Sequence, residues 1–141
     1  MRHALDVMHI EKNVCDNVFG TVLGLDGKTN DDAKSRATLE KMGIRSKLWA
    51  KKGSSGKMTL HQANYTVRPR DQWAVFDYIA SVKYPRGYAV SLKNKVRVSN
   101  KKFYGLKTHD CHVMLQRVLP VVIRPYLGSH VADALVELSI F

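Results

Sequence analysis

The sequence predicts a mainly α-helical protein with an irregular, basic middle. Three observations predict it. Apolar residues recur at helical spacing near both ends of the chain. Glycines and prolines punctuate those runs where helices end. The stretch between them is rich in charge and poor in apolar periodicity. With 141 residues, 45% hydrophobic and 25% charged, the composition is that of a folded domain with a modest core.

The first helix is expected over Leu5–Leu23. At about 100° per residue, Val7, Ile10, Val14, Cys15, Val18, Phe19 and Val22 share one arc, and Asp6, His9, Asn13, Asp16 and Asn17 the opposite one. Gly24 and Gly27 end it. A second helix comes next, in "DDAKSRATLEKMG", capped by Asn30 or Asp31 and stopped by Gly43. Its sparse apolar residues, Ala33, Ala37, Leu39 and Met42, place it on the surface. Leu48 and Trp49 anchor the next stretch. "KKGSSGK" then has the composition of a mobile basic loop and is the best candidate boundary.

"MTLHQANYTV" reads as extended and "RPRDQWAVFDYIASV" as helical. Pro69 suits a first helical position, and Trp73, Phe76, Ile79 and Ala80 form one buried face. "KYPRGY" is a turn. "AVSLKNKVRVSNKKFYGLK" leaves helix and irregular strand open. Thr108 is the expected N-cap of a helix through "HDCHVMLQRVL", with Asp110 at its positive end and Val113, Met114, Leu115, Val118 and Leu119 inward. Pro120 and Pro125 limit or kink the chain beyond that helix. A last helix, "SHVADALVELSIF", stops on apolar residues, which reads as truncation.

Charge separates along the chain. Between Lys41 and Lys107 sixteen Lys/Arg face two acids, a net +14, whereas the remainder carries −3. Such a segregated basic middle is the footprint of a polyanion binder, the alternative being a solvated surface that binds nothing. Arg68, Arg70, Lys93, Lys95, Arg97, Lys101 and Lys102 are the candidate phosphate contacts. No apolar run approaches the roughly 18 residues of a membrane span, and "MRHALDVMH" lacks a signal-peptide core. An intracellular protein is expected, with Cys15 and Cys111 as reduced, partly buried thiols.

Three groups are candidates for chemistry. His109 and His112 share a helix side and offer a minority zinc site, weighed against a capped helix N-terminus with hydrogen-bonding histidines. His3, Asp6 and His9 have i, i+3, i+6 spacing and serve either as a metal or proton-relay stripe or as a solvated one. Glu11 projects from the apolar side of the first helix, where a lone charge costs several kcal/mol. It is either salt-bridged to a basic residue from elsewhere or part of an active-site wall.

Three blocks carry a family likeness. "LDVMHIEKNVCDNVFGTVLGLDGKTNDDAKSRATLEKMGIRSKLW" closely resembles the end of the catalytic region of plant CACTA (En/Spm-like) DNA transposon transposases. "GLKTHDCHVMLQRVLPVVIRPYL" resembles the start of the transposase-associated domain next to that region, and "YPRGYAVSLKN" the segment joining them. The resemblance implies a piece of a nuclear cut-and-paste transposase whose RNase H-like core holds two Mg²⁺ ions on three carboxylates. It divides the chain into a catalytic-region tail (1–49), a basic connecting segment with one helix (50–104) and the opening of the associated domain (105–141).

It further implies that the first helix is the last helix of that core, with Glu11 as third catalytic acid and metal ligand and Asp6 as the competing assignment. The family's first two acids and its cysteine-pair motif would lie before Met1. No DNA cleavage and no resident cofactor are therefore expected of this chain alone. DNA and other transposase subunits are the expected partners, with neither membrane nor small-molecule substrate. An interaction module that does not bind DNA is the alternative.

Overall fold

The computed structural model describes residues 6–53, 56–85, 87 and 91–140. Leu5 and His3 of the expected first helix and stripe, Ser54 and Ser55 of the basic loop, Arg86 and residues 88–90 of the connecting segment, and Phe141 lie outside the described residues. Helices make up 53% of the chain and strands are short, so the protein is mainly α. Among the described residues no helix is long and apolar enough to cross a membrane.

Helix α1 spans Val7–Val22. The Asp6 carboxylate accepts the His9 backbone N–H at 3.1 Å and satisfies one of the helix's unpaired first-turn donors. Gly24, at φ +57°, turns the chain out of the helix as expected. Gly20 has a role that spacing did not announce. A Cβ there would meet the Lys28 carbonyl oxygen at 2.3 Å, so only glycine lets the next turn fold back on α1.

The apolar arc of α1 is buried from its middle onward, at Cys15, Phe19 and Val22. Val7 and Ile10, expected inside, are 67% and 47% exposed. The first turns of α1 instead edge an open cleft with Leu115, Gln116 and Leu138.

Helix α2 spans Ala33–Lys41 and is largely exposed, as its sparse apolar pattern predicts. Its cap is Asp32 rather than Asn30 or Asp31, with the carboxylate accepting the Ser35 N–H at 2.7 Å. One residue faces inward, and it is an arginine: Arg36 is buried. A short 3₁₀ turn, Ser46–Leu48, comes next. The basic loop belongs to a hairpin, because β1 (Lys51–Lys52) pairs antiparallel with β2 (Met58–Thr59). The Gly53 N–H donates to the Lys57 carbonyl at 2.9 Å and closes its described base.

Helix α3 spans Gln72–Ser81, starting three residues after Pro69, which stands in the preceding turn. Its buried face is Val75, Phe76 and Ile79. Trp73, expected on that face, is 58% exposed. The inward arc is centred between Val75 and Phe76, and Trp73 falls outside it.

The most basic segment resolves into both forms left open. A 3₁₀ turn, Leu92–Lys95, buries Leu92 and leads into β3 (Val96–Arg97), which pairs antiparallel with β4 (Lys102–Phe103). Val96 opposite Phe103 faces the core; Arg97 opposite Lys102 faces out.

Helix α4 (Thr108–Val113), a π turn (Met114–Val118) and α5 (Leu119–Val122) then succeed one another without a break. Lys107, not Thr108, holds the cap position, and its N–H donates to the Asp110 carboxylate at 2.7 Å. Pro120 neither ends nor breaks the run. Proline lacks an N–H and its ring clashes with the carbonyl four residues back; the wide turn just before it accommodates that defect. Helix α6 spans Ser129–Ile140.

One hydrophobic cluster unites residues from the N-terminal, basic and C-terminal stretches. Cys15, Phe19, Val75, Phe76, Leu92, Met114 and Leu119 belong to it. Phe103 joins them, edge-on to Phe19 at 5.8 Å and tilted against Phe76 at 4.9 Å between ring centroids.

Candidate functional site

Glu11 sits on α1 where α4 covers it. Its Oε1 lies 2.5 Å from His112 Nδ1, and both side chains are only partly shielded, at 24% and 43% exposure. The carboxylate is therefore not lone: among the described residues no lysine or arginine pairs with it, and an imidazole from the other end of the chain holds it. The face around it packs against α4, not against a sheet.

Asp6 does different work. It caps α1 and bonds the His9 ring, Nδ1 to Oδ2 at 2.5 Å, at the surface. Those hydrogen bonds from His9 hold its carboxyl below the usual carboxylate range. Asp6 and Glu11 stand five residues apart, about 140° around the helix, and do not converge.

The other metal candidates diverge as well. His109 and His112 stack with ring centroids 6.4 Å apart, but His112 already serves Glu11. Cys111 turns inward, away from both. Among the described residues no three His, Cys, Asp or Glu side chains gather closely enough to hold a metal. Mg²⁺ prefers an octahedron of oxygens with one or two carboxylates. One carboxylate bonded to an imidazole does not fit that ion.

Cys111 instead meets Cys15. Both thiols are buried, 0% and 1% exposed, and share a hydrogen bond across the α1–α4 contact. That bond, then burial, pushes the Cys15 thiol up and keeps it protonated. They are more enclosed than the sequence suggests, and their spacing of 96 residues hides the contact.

The seven candidate phosphate contacts separate into two kinds. Lys95 is committed to structure: its Nζ lies 2.5 Å from the Asp110 carboxylate, which is 4% exposed. Arg68, Arg70, Lys93, Arg97 and Lys102 are exposed. Among the described residues, no carboxylate pairs with Arg68, Lys93, Arg97, Lys101 or Lys102, whereas Arg70 stands 3.7 Å from Asp71. Lys101 adopts φ +51° and donates to the Pro69 carbonyl at 3.2 Å and the Gln72 side-chain oxygen at 3.1 Å. Arg97 stands 6.0 Å over the Tyr104 ring, a cation–π arrangement that orients it without neutralising it.

Sequence reasoning missed Arg36. Its guanidinium grips Asp31 with two bonds, 2.6 and 2.8 Å, and also donates to the His61 and Leu48 carbonyls at 2.6 and 3.3 Å. Arg36 in turn, with a smaller contribution from Tyr65, holds the Asp31 carboxyl below its ordinary 3.8. The only signal was the pair "D…R" five residues apart, which helix spacing does not flag.

A scan against protein-family models and searches of curated proteins and of solved structures each find no match. The likeness to CACTA transposases rests on the three sequence blocks alone.

Proposed function

We propose that this chain is a piece of a CACTA-type transposase that binds DNA through its basic middle and does not cut it. The observation that carries the reading is the β3–β4 hairpin. Arg97 and Lys102 stand directly opposite each other there, with no carboxylate paired to either among the described residues. Like charges directly opposed across a ladder repel, and a polyphosphate backbone is the partner that offsets them. Arg68, Arg70, Lys93 and Lys101 extend the same charge, and the reading places the protein in the nucleus.

Glu11, the resemblance's third acid, is left without chemistry. Its partner is an imidazole, and the reading assigns this chain by itself neither nuclease nor strand-transfer activity.

The test is a titration of labelled DNA at several salt concentrations. Four phosphate contacts predict a loss of about 100-fold in affinity between roughly 50 and 200 mM salt. No affinity at low salt, or an affinity that salt leaves unchanged, overturns the reading.

The first turns of α1 favour a second reading, an interaction module. Val7, Met8 and Ile10 are exposed at 67%, 65% and 47%, beside a cleft of about 260 Å³ that Leu115 and Leu138 also line. Another transposase subunit is the partner this reading names. Sedimentation showing a concentration-dependent dimer without DNA, lost in Ile10→Asp, supports it; a monomer at every concentration removes it.

A further inference from the structure

A cleft of about 510 Å³ opens where three loops meet. The turn after α1 contributes Asp26 and Lys28, the opening of α3 contributes Pro69 and Gln72, and the tip of the β3–β4 hairpin contributes Asn100, Lys101 and Lys102. Its volume lies within the roughly 300–1,000 Å³ of ligand clefts.

Three features set this cleft apart from the rest of the basic surface. First, its ionisable lining is three lysines against one aspartate. Second, Lys101 is held in the left-handed region at φ +51°, a conformation that costs a non-glycine residue free energy. Two hydrogen bonds hold its ammonium at the mouth of α3, where its partners are the neutral Pro69 carbonyl and Gln72 amide, so its charge stays uncompensated.

Third, the framework is rigid. Gln72 Nε2 donates to the Leu23 carbonyl at 2.8 Å, tying α3 to the end of α1, while Phe103 at the hairpin base is wedged between Phe19 and Phe76. Lys28 is loosely paired with Asp16, at 3.4 Å with both partners about half exposed, a contact that an incoming anion exchanges at little cost.

We propose that this cleft seats a phosphodiester group of a polynucleotide, with Lys28, Lys101 and Lys102 as its cationic wall. The inference rests on the DNA-binding reading and sharpens it, from a diffuse basic surface to one preorganised anchoring point. It also brings in Lys28, from a stretch outside the basic middle.

The experiment uses the full chain and a labelled 20-nucleotide DNA, comparing two double variants that remove equal charge. Lys28→Ala/Lys102→Ala strips the cleft and spares Lys101, which bridges the hairpin to α3. Lys51→Ala/Lys52→Ala strips exposed lysines of β1. The cleft variant is expected to weaken binding about tenfold at low salt and to lower the salt slope by about two, and the β1 variant to weaken it less than about threefold.

Lys28→Gln/Lys102→Gln removes the charges but keeps polar side chains only one atom shorter, and must reproduce the cleft effect, with unchanged thermal transitions showing that the variants fold. Equal losses in the two double variants overturn the anchoring cleft while leaving general DNA binding intact. Absence of binding by the unaltered chain overturns both.

Discussion

Glu11 and His112 are joined across the contact of α1 and α4, Oε1 to Nδ1 at 2.5 Å, 101 residues apart in sequence. A carboxylate on the apolar side of a helix is thereby given a partner without a metal. The pair is partly in solvent, so its net worth is that of an ordinary hydrogen bond. Glu11→Ala and His112→Ala should each cost about 1 kcal/mol, and a double-mutant cycle monitored by urea unfolding should return a coupling of about 0.5–1 kcal/mol. Strict additivity would show that the two side chains do not meet.

Arg36 is a guanidinium only 3% exposed that serves three acceptor groups. Truncation leaves the His61 and Leu48 carbonyls without that donor and Asp31 with Tyr65 alone, in a shielded setting. Arg36→Ala should destabilise by about 3–5 kcal/mol. Arg36→Lys should recover less than half of that, because an ammonium cannot reproduce the fork. Chemical denaturation of the three proteins checks both statements.

Asp31 makes stability depend on pH in a definite direction. Its carboxyl is depressed below 3.8 in the folded chain, chiefly by Arg36. The folded state therefore binds fewer protons than the unfolded one, and the stabilisation is complete above about pH 4 and lost as the pH falls further. Melting temperatures between pH 3 and 6 should drop more steeply for the unaltered chain than for Asp31→Asn; parallel curves would remove Arg36–Asp31 from the acid response.

Lys95 and Lys93 should part ways. Lys95 neutralises Asp110, which is 4% exposed and also caps α4, whereas Lys93 stands in solvent. Lys95→Ala should lower the melting temperature by several degrees and Lys93→Ala by less than about two, since exposed substitutions stay near ±0.5 kcal/mol.

Cys15 and Cys111 should be silent to a colourimetric thiol reagent in the native chain and react together once it is denatured. Burial shields both, and Cys15 is in addition held protonated, whereas the Cys111 thiol is lowered by its bond with Cys15 and is protected by burial alone. Rapid labelling of either under native conditions would place it at the surface.

Helical periodicity locates α1, α2, α3 and α6 to within a few residues, because a helix is the element that turns an apolar spacing of three to four into one continuous stripe. It misjudges Val7, Ile10 and Trp73, whose burial depends on which neighbour covers them. Pairings such as Arg36 with His61, Glu11 with His112 and Cys15 with Cys111 are tertiary: nothing in local spacing encodes them. The basic middle is legible as charge, but that Lys95 is spent on Asp110 while Lys101 lines a cleft emerges only from the packing.

The π turn at Met114–Val118 sets a phase. One additional residue in that turn sets everything after it back by about 100° around the axis relative to an uninterrupted α-helix. Leu119, Val122 and Ile123 are all buried, so the inward arc of α5 is broad enough to take up that shift. Deleting Gln116 would restore regular winding and leave the direction of α5 unchanged, but would bring the Pro120 ring against the carbonyl four residues back, so the cost of the shorter chain falls on the proline.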